Sequence, residues 1–372
     1  MSAEPVSLFP VSPKPSRHAL PDIALSRRLR ALAEPCDVDG AFPTAAFDHL
    51  IAQGLHADAR LEAGAPALPL LRRLAEIGRG DLSVGRIYEG HVNAVQLVLA
   101  HGTPEQRAAL RHDLGLGRLF GVWNTDAPGN PLRLEDGRLQ GAKSFASGVD
   151  GLHAAIVTAP VEGGRQMLLV PVAGRPVDRT WWTPIGMKAS GSHVIDLDGV
   201  AVTQAIRIGP PDAYVRQPWF SAGAIRFAAV QVGGLHALLD VTRDHLARTG
   251  RAGDAYQTHR LADLALLVEG AHGWLERAAR HWDAGCRPGA SAEAARAAVA
   301  QANLTRTAIE RAAMDGMAIA QRAIGCAGLL RPHPLERLVR DLTVYLRQPN
   351  PDGALAQAGE AVATGALEPG RL

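Results

Sequence analysis

Two polar stretches near the middle of the chain carry side chains suited to holding a ligand. In GVWNTDAPGN (121–130), an apolar strand runs directly into a polar loop that contains glycine. Backbone donors there, beside Trp123, Asn124 and Thr125, could hold an aromatic polar ring such as a flavin. In GAKSFASGV (141–149), lysine, phenylalanine and serine alternate along a second strand. Each stretch alone also fits an ordinary half-buried strand. The two indicate a binding site only when they are taken together and in order.

A third stretch, RDLTVYLRQPNPDG (340–353), joins a charged pair to a helix end. Pro349 lacks a backbone N–H and disfavours helix at Gln348, so the helix should end near Arg347. The polar loop beyond it is either a site or only the place where the chain stops being helical. Spacing alone favours the second interpretation, because proline and glycine mark helix ends in proteins of every kind.

Other catalytic and metal-binding motifs are missing from the sequence. GLGRLFG (115–121) resembles a dinucleotide-binding glycine loop, but it precedes a strand instead of joining a strand to a helix. It therefore lacks the context that directs helix amides at a pyrophosphate. The chain contains no Walker loop, no HExxH and no GxSxG. His236, His245 and His259 stand at spacings that gather no ligand cluster, so no metal site is predicted.

Composition restricts the class of protein. A chain of 372 residues, 47% apolar and 20% charged, predicts two or three packed globular units. The 39 basic and 37 acidic residues are spread along the chain, so nucleic acid is not an expected partner. The 3 cysteines lie far apart, and neither a signal peptide nor an apolar stretch long enough for a membrane span is evident. We expect a cytoplasmic protein without a membrane partner.

The hydrophobic pattern predicts an α+β multidomain fold. Residues 1–20 hold four prolines and predict a loose N-terminal arm. Helical spacing over 21–117 predicts a helical domain, and short runs bounded by Gly, Pro and Asp over 118–215 predict strands. Closely spaced strands without intervening helices favour an antiparallel β domain or small barrel. Helical spacing returns over 216–372, which predicts a C-terminal four-helix bundle with a tail.

The bundle helices can be bounded from the sequence. Long alanine-rich stretches separated by short breaks such as RTGRAGD and GCRPGAS predict antiparallel helices. We place them at about 218–248, 254–284, 291–325 and 333–347. In the N-terminal domain, Thr103 followed by Pro104 and Gln106 predicts a capping box.

Taken in order, these stretches resemble the acyl-CoA dehydrogenase family over most of the chain. GAFPTAAFDHLIAQGL and HVNAVQLVLAHGTPEQRAAL look like the family's N-terminal helices. NTDAPGN stands at its TEPxxGSD loop, GAKSFASG at its G-K-x-W-I-T strand, and GMKASGSHVIDLDGVAV at the strand pair before its bundle. AIGCAGLLRPHPLERLVRDL matches its Gly-rich turn and the helix that ends in Arg-Asp. Each motif is short, but six motifs in the family's order are strong evidence for its fold.

The resemblance implies FAD bound between the β domain and the bundle. In the family, the TEP threonine and the W-I-T strand contact the isoalloxazine. This implies Thr125, Phe145 and Ser147 as cofactor contacts here, beside Trp123 and Asn124. Phenylalanine in place of the family's tryptophan keeps an apolar wall but loses the indole donor.

The resemblance also implies a shared cofactor between subunits. The family's Gly-rich turn meets the FAD of a neighbouring subunit, which implies Gly325 and Gly328 at that contact. A homodimer or homotetramer is therefore expected. A small molecule, such as an acyl-CoA or an acyl-carrier thioester, is the expected substrate.

The catalytic base of the family is not found. Counted from Arg340-Asp341, the usual catalytic glutamate falls on Pro349, which has no acid-base group. The alternative base position, on the first bundle helix, falls on Gly223. A slip of one or two residues would bring in Gln348 or Asp352 as weak candidates, so the catalytic residue stays unknown.

Three functions are open at this point. The leading one is an FAD-dependent oxidoreductase that oxidises a CH–CH group of an acyl thioester, as most of the family do. This reaction needs a catalytic base, which is not found in the sequence. The second is a flavin-dependent monooxygenase on the same fold, which needs no α-proton base. In the resemblance, the arginine that contacts CoA falls on Ala224 and the serine of the GSD loop falls on Pro131. The polar loop RQPNPDG in place of the glutamate loop and the loss of CoA-type contacts suit this second function. The third is a non-catalytic flavoprotein or scaffold.

Overall fold

The computed structural model describes residues 23–58, 65–203, 206–287 and 289–370. The predicted N-terminal arm, residues 1–20, lies outside the described residues. Three parts follow in chain order: helices, strands and a second set of helices. The predicted α+β architecture is confirmed.

The first part is helical. Its helices are α1 (Ile23–Asp39), α2 (Thr44–Ala52), α3 (Ala67–Gly80), α4 (Leu82–His101) and α5 (Pro104–Gly115). The predicted capping box starts α5: Gln106 N donates to Thr103 Oγ1 at 3.3 Å, and Thr103 N donates to Gln106 Oε1 at 2.9 Å. Most of helix α4 is buried, because it packs against α3, against strand β1 (Phe120–Trp123) and against the first helix of the third part.

The second part holds short strands. After β1 come β2 (Arg133–Glu135), β3 (Arg138–Gln140), β4 (Ala142–Ala146), β5 (Ala154–Val161), β6 (Gly164–Pro171), β7 (Val177–Asp178), β8 (His193–Asp196) and β9 (Arg207–Ile208). They form a four-stranded sheet in the order β1-β5-β6-β9, a three-stranded sheet in the order β4-β8-β7, and the β2-β3 hairpin. Pairing is antiparallel as predicted, except that β1 and β5 run parallel. The exception arises because the chain leaves the first sheet after β1 and builds β2 to β4 before it returns.

The third part is the helical bundle. Its helices are α6 (Ala222–Arg248), α7 (Ala255–Cys286), α8 (Ala292–Ile324), α9 (Pro334–Tyr345) and α10 (Pro351–Ala363). The first four match the predicted helices to within a few residues at each end. The fifth was predicted only as a loop and tail. Pro351 occupies the first helical position of α10, where a missing N–H costs nothing.

Helix α6 lies in the centre of the protein. With the turn before it, Trp219–Arg248 is long and apolar enough to cross a membrane, but 76% of its apolar window is buried inside the protein. It packs against α3, α7 and α8. At Gly233 the backbones of α6 and α3 meet so closely that a Cβ would lie 2.1 Å from the Ala75 carbonyl oxygen. Its apolar character is therefore that of a core helix.

The end of α9 docks the bundle onto the β domain. Met187 N donates to the Asp341 carboxylate at 2.5 Å, and Arg340 Nη1 donates to the Ile185 carbonyl at 2.9 Å. Arg340 Nη2 also pairs with Asp37 of α1 at 2.7 Å. Burial would raise the pKa of Asp37, but its bond to Arg340 brings that pKa below its ordinary value. One Arg-Asp pair thus holds α1, α9 and the 185–187 loop together.

We predict that Gly186→Ala disrupts this contact. A Cβ at Gly186 would lie 2.2 Å from the backbone carbonyl of Arg340, and backbone atoms cannot move aside as a side chain can. We expect at least about 2 kcal/mol of lost folding free energy, measured by urea denaturation. Gly273→Ala is the control, because its Cβ would meet nothing within 4 Å and alanine favours helix α7. Equal stability of the two variants would contradict this prediction.

The Asp341 carboxyl gives a second prediction. Burial raises its pKa to about 7; the Met187 N–H bond opposes this shift and nearby Asp81 adds to it. In the unfolded chain its pKa is about 3.9, so its contribution to folding is largest below about pH 4 and is lost as pH rises through about 7. Asp341→Asn imitates the protonated acid and keeps an acceptor for Met187 N. It should be more stable than wild type by a few kcal/mol at pH 8, at about 1.4 kcal/mol for each unit of pKa shift.

That advantage should shrink towards zero at pH 4, in urea denaturation at a series of pH values. Asp244→Asn, which removes a negative charge from an exposed position on α6, serves as the control and should show no comparable gain in stability at pH 8. A constant difference between Asp341→Asn and wild type across the pH series would show that ionisation of Asp341 does not limit stability.

Candidate functional site

The structure brings the two middle stretches together on one side of the β domain. Trp123, at the end of β1, is buried and donates its indole N–H to the Ser147 carbonyl at 3.1 Å. The loop that follows runs beside β4, where Ser144 N donates to the Thr125 carbonyl at 3.0 Å. Asn124 and Thr125 are exposed at this edge, and Ser147 is buried behind it. The five β-domain residues predicted from sequence therefore share one neighbourhood.

A buried lysine fixes that loop to the strand. Lys143 is fully buried, and its ammonium group donates to the Asn124 carbonyl at 3.1 Å and pairs with Asp126 Oδ1 at 2.5 Å. Ser144 Oγ adds a bond to the Asp126 carbonyl at 3.0 Å. Burial lowers the pKa of Lys143, and Asp126 opposes that shift. The sequence pattern placed Lys143 in an alternating strand but did not predict its pairing with Asp126. An aspartate in the loop that precedes the strand was the feature that could have indicated this pair.

Phe145 faces outward and forms part of an aromatic surface. Its backbone is left-handed, with φ of +51°, at the irregularity in the β4–β8 pairing, and its side chain stays 49% exposed. The ring meets Trp181 edge-on at 4.9 Å and Trp182 at 6.0 Å between centroids. The buried indole nitrogen of Trp182 has no hydrogen-bond partner in the protein. Sequence reasoning missed both tryptophans, although two adjacent indoles before a glycine-rich turn were a visible signal.

This arrangement fits an aromatic, polar ring such as the isoalloxazine of a flavin. Phe145 and Trp181 present an open apolar face, the unpaired Trp182 N–H is a donor without a partner, and Asn124 and Thr125 line a polar edge. Buried donors are normally satisfied, so the unpaired indole is consistent with a ligand that accepts a hydrogen bond. Within the ranges that the structure describes, His, Cys, Asp and Glu form no group able to hold a metal ion.

The two predicted glycines lie in a different part of the chain. Gly325 ends α8 with φ of +81°, and Gly328 is buried in the short turn that follows. Leu329 and Leu330, next to them, are exposed. The turn belongs to the bundle, so its predicted contact with a cofactor depends on the neighbouring subunit that the family resemblance implies.

The loop between α9 and α10 carries the weak catalytic candidates. Gln348 Nε2 donates to the Tyr345 carbonyl at 2.8 Å and so completes the end of α9. Pro349 is exposed, and its carbonyl accepts from Arg306 Nη2 at 3.1 Å. Asp352 is exposed in the first turn of α10. Pro349, on which the family resemblance places the base, is thus an exposed ring whose carbonyl is bound to α8.

Comparisons with known proteins concern the helical bundle and the fold. Residues 213–346 match the family model described as acyl-CoA dehydrogenase, C-terminal domain. No curated protein sequence gives a significant match. The fold is similar to that of the dibenzothiophene monooxygenase TdsC from Paenibacillus sp. A11-2, with a TM-score of 0.81 and 19% identity over 92% of this chain and 96% of that one.

Two further solved structures are similar over nearly their whole length. Methanesulfinate monooxygenase MsuC from Pseudomonas fluorescens has a TM-score of 0.79 and 20% identity, over 94% of this chain and 98% of that one. Butyryl-CoA dehydrogenase from Megasphaera elsdenii has a TM-score of 0.77 and 17% identity, over 93% of this chain and 100% of that one. At this level of identity the comparison concerns the fold.

We predict that the Lys143–Asp126 pair holds the site loop in place. Lys143→Met keeps the length of the side chain but leaves the Asp126 carboxylate and the Asn124 carbonyl without their donor. We expect the free energy of unfolding, measured by urea denaturation, to fall by about 1–3 kcal/mol. The loss is limited because the Asp126 carboxylate is partly exposed and can be hydrated by water. Lys188→Met, in the half-buried turn before β8, is the control. A loss no larger than that of the control would show that the pair does not order the loop.

Proposed function

This chain has the acyl-CoA dehydrogenase fold, and from that premise we propose that it is a flavin-dependent monooxygenase acting on a small molecule. The proposal rests on the family resemblance: counted from Arg340-Asp341, Pro349 falls where the fold's usual reaction needs a carboxylate. An acyl thioester cannot lose its α-proton to a proline ring. Neither neighbouring candidate replaces the base, since the Gln348 amide completes a helix end and Asp352 faces solvent. Desaturation of an acyl thioester is therefore the alternative function.

The structural neighbours support this choice. TdsC and MsuC are both described as monooxygenases, and one structure of TdsC is described with FMN and indole. Butyryl-CoA dehydrogenase has the same fold, so the fold accommodates both reactions and the site must distinguish them. The FAD expected from the family resemblance is accordingly proposed here as a flavin, either FMN or FAD.

The side chains of this protein would bind and shield the cofactor. A bound flavin supplies the electrons and activates the oxygen for such a reaction. Phe145 and Trp181 would cover part of the ring and exclude water, and the Trp182 N–H would donate to it. Asn124 and Thr125 would bind its polar edge, on a loop that Lys143 holds in position. These residues bind and orient, and none of them has to remove a carbon-bound proton.

The remaining parts of the proposal concern assembly and location. We propose a homodimer or homotetramer in which Gly325 and Gly328 contact the flavin site of a neighbouring subunit. The exposed Leu329 and Leu330 beside them support this, because large apolar side chains in one turn suit a subunit interface. We also propose a cytoplasmic location, with neither nucleic acid nor a membrane as partner.

We predict that purified protein binds flavin, and that under anaerobic conditions butyryl-CoA does not bleach it. Under isotopically labelled O2, chemically reduced bound flavin should transfer labelled oxygen to a sulfur or nitrogen heterocycle in a panel such as dibenzothiophene and indole. Gln348→Ala and Asp352→Asn should change that transfer less than about twofold, because no side-chain base is required. Absorbance spectra and mass spectrometry of the products give both readouts.

Two outcomes would contradict the proposal. Bleaching by butyryl-CoA that is lost in Asp352→Asn would establish desaturation with Asp352 as its base. Protein that stays colourless with both FMN and FAD would instead leave the non-catalytic scaffold as the remaining function. Phe145→Ala is the matched positive control, because it should weaken flavin binding whichever reaction follows.

A further inference from the structure

Three serine hydroxyls form a buried chain that ends at the proposed flavin site. Ser147 Oγ lies 2.8 Å from Ser192 Oγ, and Ser192 Oγ lies 2.9 Å from Ser190 Oγ. All three side chains are buried. Ser147 follows β4, whereas the other two belong to the turn before β8, so the chain connects two segments of the β domain.

The backbone holds these hydroxyls in place. Gly148 N donates to the Ser190 carbonyl at 2.7 Å, and Ser190 N donates to the Met187 carbonyl at 3.1 Å. Gly191, between the two turn serines, has φ of +48°, a left-handed turn across which the two hydroxyls lie 2.9 Å apart. Met187 is itself bound by Asp341 of α9. The distances between the hydroxyls are therefore set by the same docking contact that joins the bundle to the β domain.

Counting hydrogens shows what such a chain can do. Three hydroxyls carry three hydrogens, and the two bonds between them use two. If the bonds run from Ser190 to Ser147, the Ser147 hydrogen is left to donate to a ligand. If they run the other way, Ser147 presents a lone pair and accepts. Reversal rotates only hydroxyl hydrogens, so it moves no heavy atom.

We propose that Ser192 is a positioning residue that holds the Ser147 hydroxyl at the flavin edge and lets it act as donor or acceptor. This inference rests on the proposed flavin site. The edge of an oxidised isoalloxazine presents an unprotonated nitrogen, which accepts, and on reduction that nitrogen carries a hydrogen and donates. A reversible hydroxyl chain can satisfy both states without rearranging the site. Ser192 acts through Ser147 and need not touch the flavin.

The test is the flavin affinity of Ser192→Ala. Losing the bond that holds Ser147 should weaken FMN or FAD binding about five- to tenfold, the size expected for one hydrogen bond. The loss should be similar for oxidised and chemically reduced flavin, since the chain serves both. Ser192→Thr keeps the hydroxyl and should restore affinity to within about twofold of wild type. Fluorescence titration gives the oxidised affinity, and anaerobic titration gives the reduced one.

Ser83→Ala is the matched control. Ser83 is a buried serine beside the same turn, where its hydroxyl lies 3.9 Å from the Met187 sulfur, but it lies outside the hydroxyl chain. It should leave flavin affinity unchanged even if its melting temperature falls. If Ser192→Ala does not fold, Ser192→Cys fills the same site with a weaker donor and should show the same loss of affinity.

The results separate this inference from the proposed function. Flavin binding by wild type that is unchanged in Ser192→Ala, with only a lower melting temperature, would mean that Ser192 is purely structural. A loss confined to one redox state would overturn the reversible chain. Failure of the wild-type protein to bind either flavin would instead remove the proposed function, and this inference with it.

Discussion

The docking of α9 onto the 185–187 loop fixes the relation between the two halves of the molecule. The Asp341 carboxylate accepts from Met187 N, and the adjacent Arg340 guanidinium binds both the Ile185 carbonyl and Asp37. The pairing with carboxylates raises the pKa of Arg340 above its ordinary value, so the arginine remains charged at every relevant pH. Because the docked loop continues into the turn that carries the buried serines, one contact on a helix positions side chains at the edge of the proposed flavin site.

Helix positions were predictable because helical periodicity is local. The four long bundle helices follow from apolar spacing and from their Gly/Pro breaks, and the Thr103 capping box follows from three residues within one turn. Helix α10 was missed because two prolines and a glycine in NPDG and its flank look like a break. Pro351 instead starts a helix, at the one position where proline is favoured. The same residue type ends α9 and begins α10, and only the three-dimensional structure distinguishes the two roles.

Only part of the candidate site could be predicted from the sequence. The family resemblance implied Thr125, Phe145 and Ser147 as contacts of one cofactor, the polar stretch 121–130 suggested Trp123, and the structure brings these residues together. The resemblance did not predict the Lys143 ion pair or the two tryptophans beside Phe145. Their residue types were visible in the sequence, but the contacts depend on how separate segments meet. The outward turn of Phe145 depends on a left-handed backbone, which is rare for a bulky residue and has no marker in the sequence. Residue type alone does not encode such a conformation.

The proposed cofactor face and the base position implied by the family resemblance fall on separate parts of the chain, and such a separation would let one fold support two reactions. The aromatic face and its polar loop belong to the β domain, where Lys143 orders them. The base position belongs to the loop between two bundle helices. A positioned base contributes about a hundredfold to ten-thousandfold to proton removal, so proline at the position that the resemblance implies would lower desaturation by a comparable factor. The proposed monooxygenation makes no such demand, since it would depend on the β-domain face and on the exclusion of water there. A change confined to one loop can therefore remove one reaction and leave the machinery of the other intact.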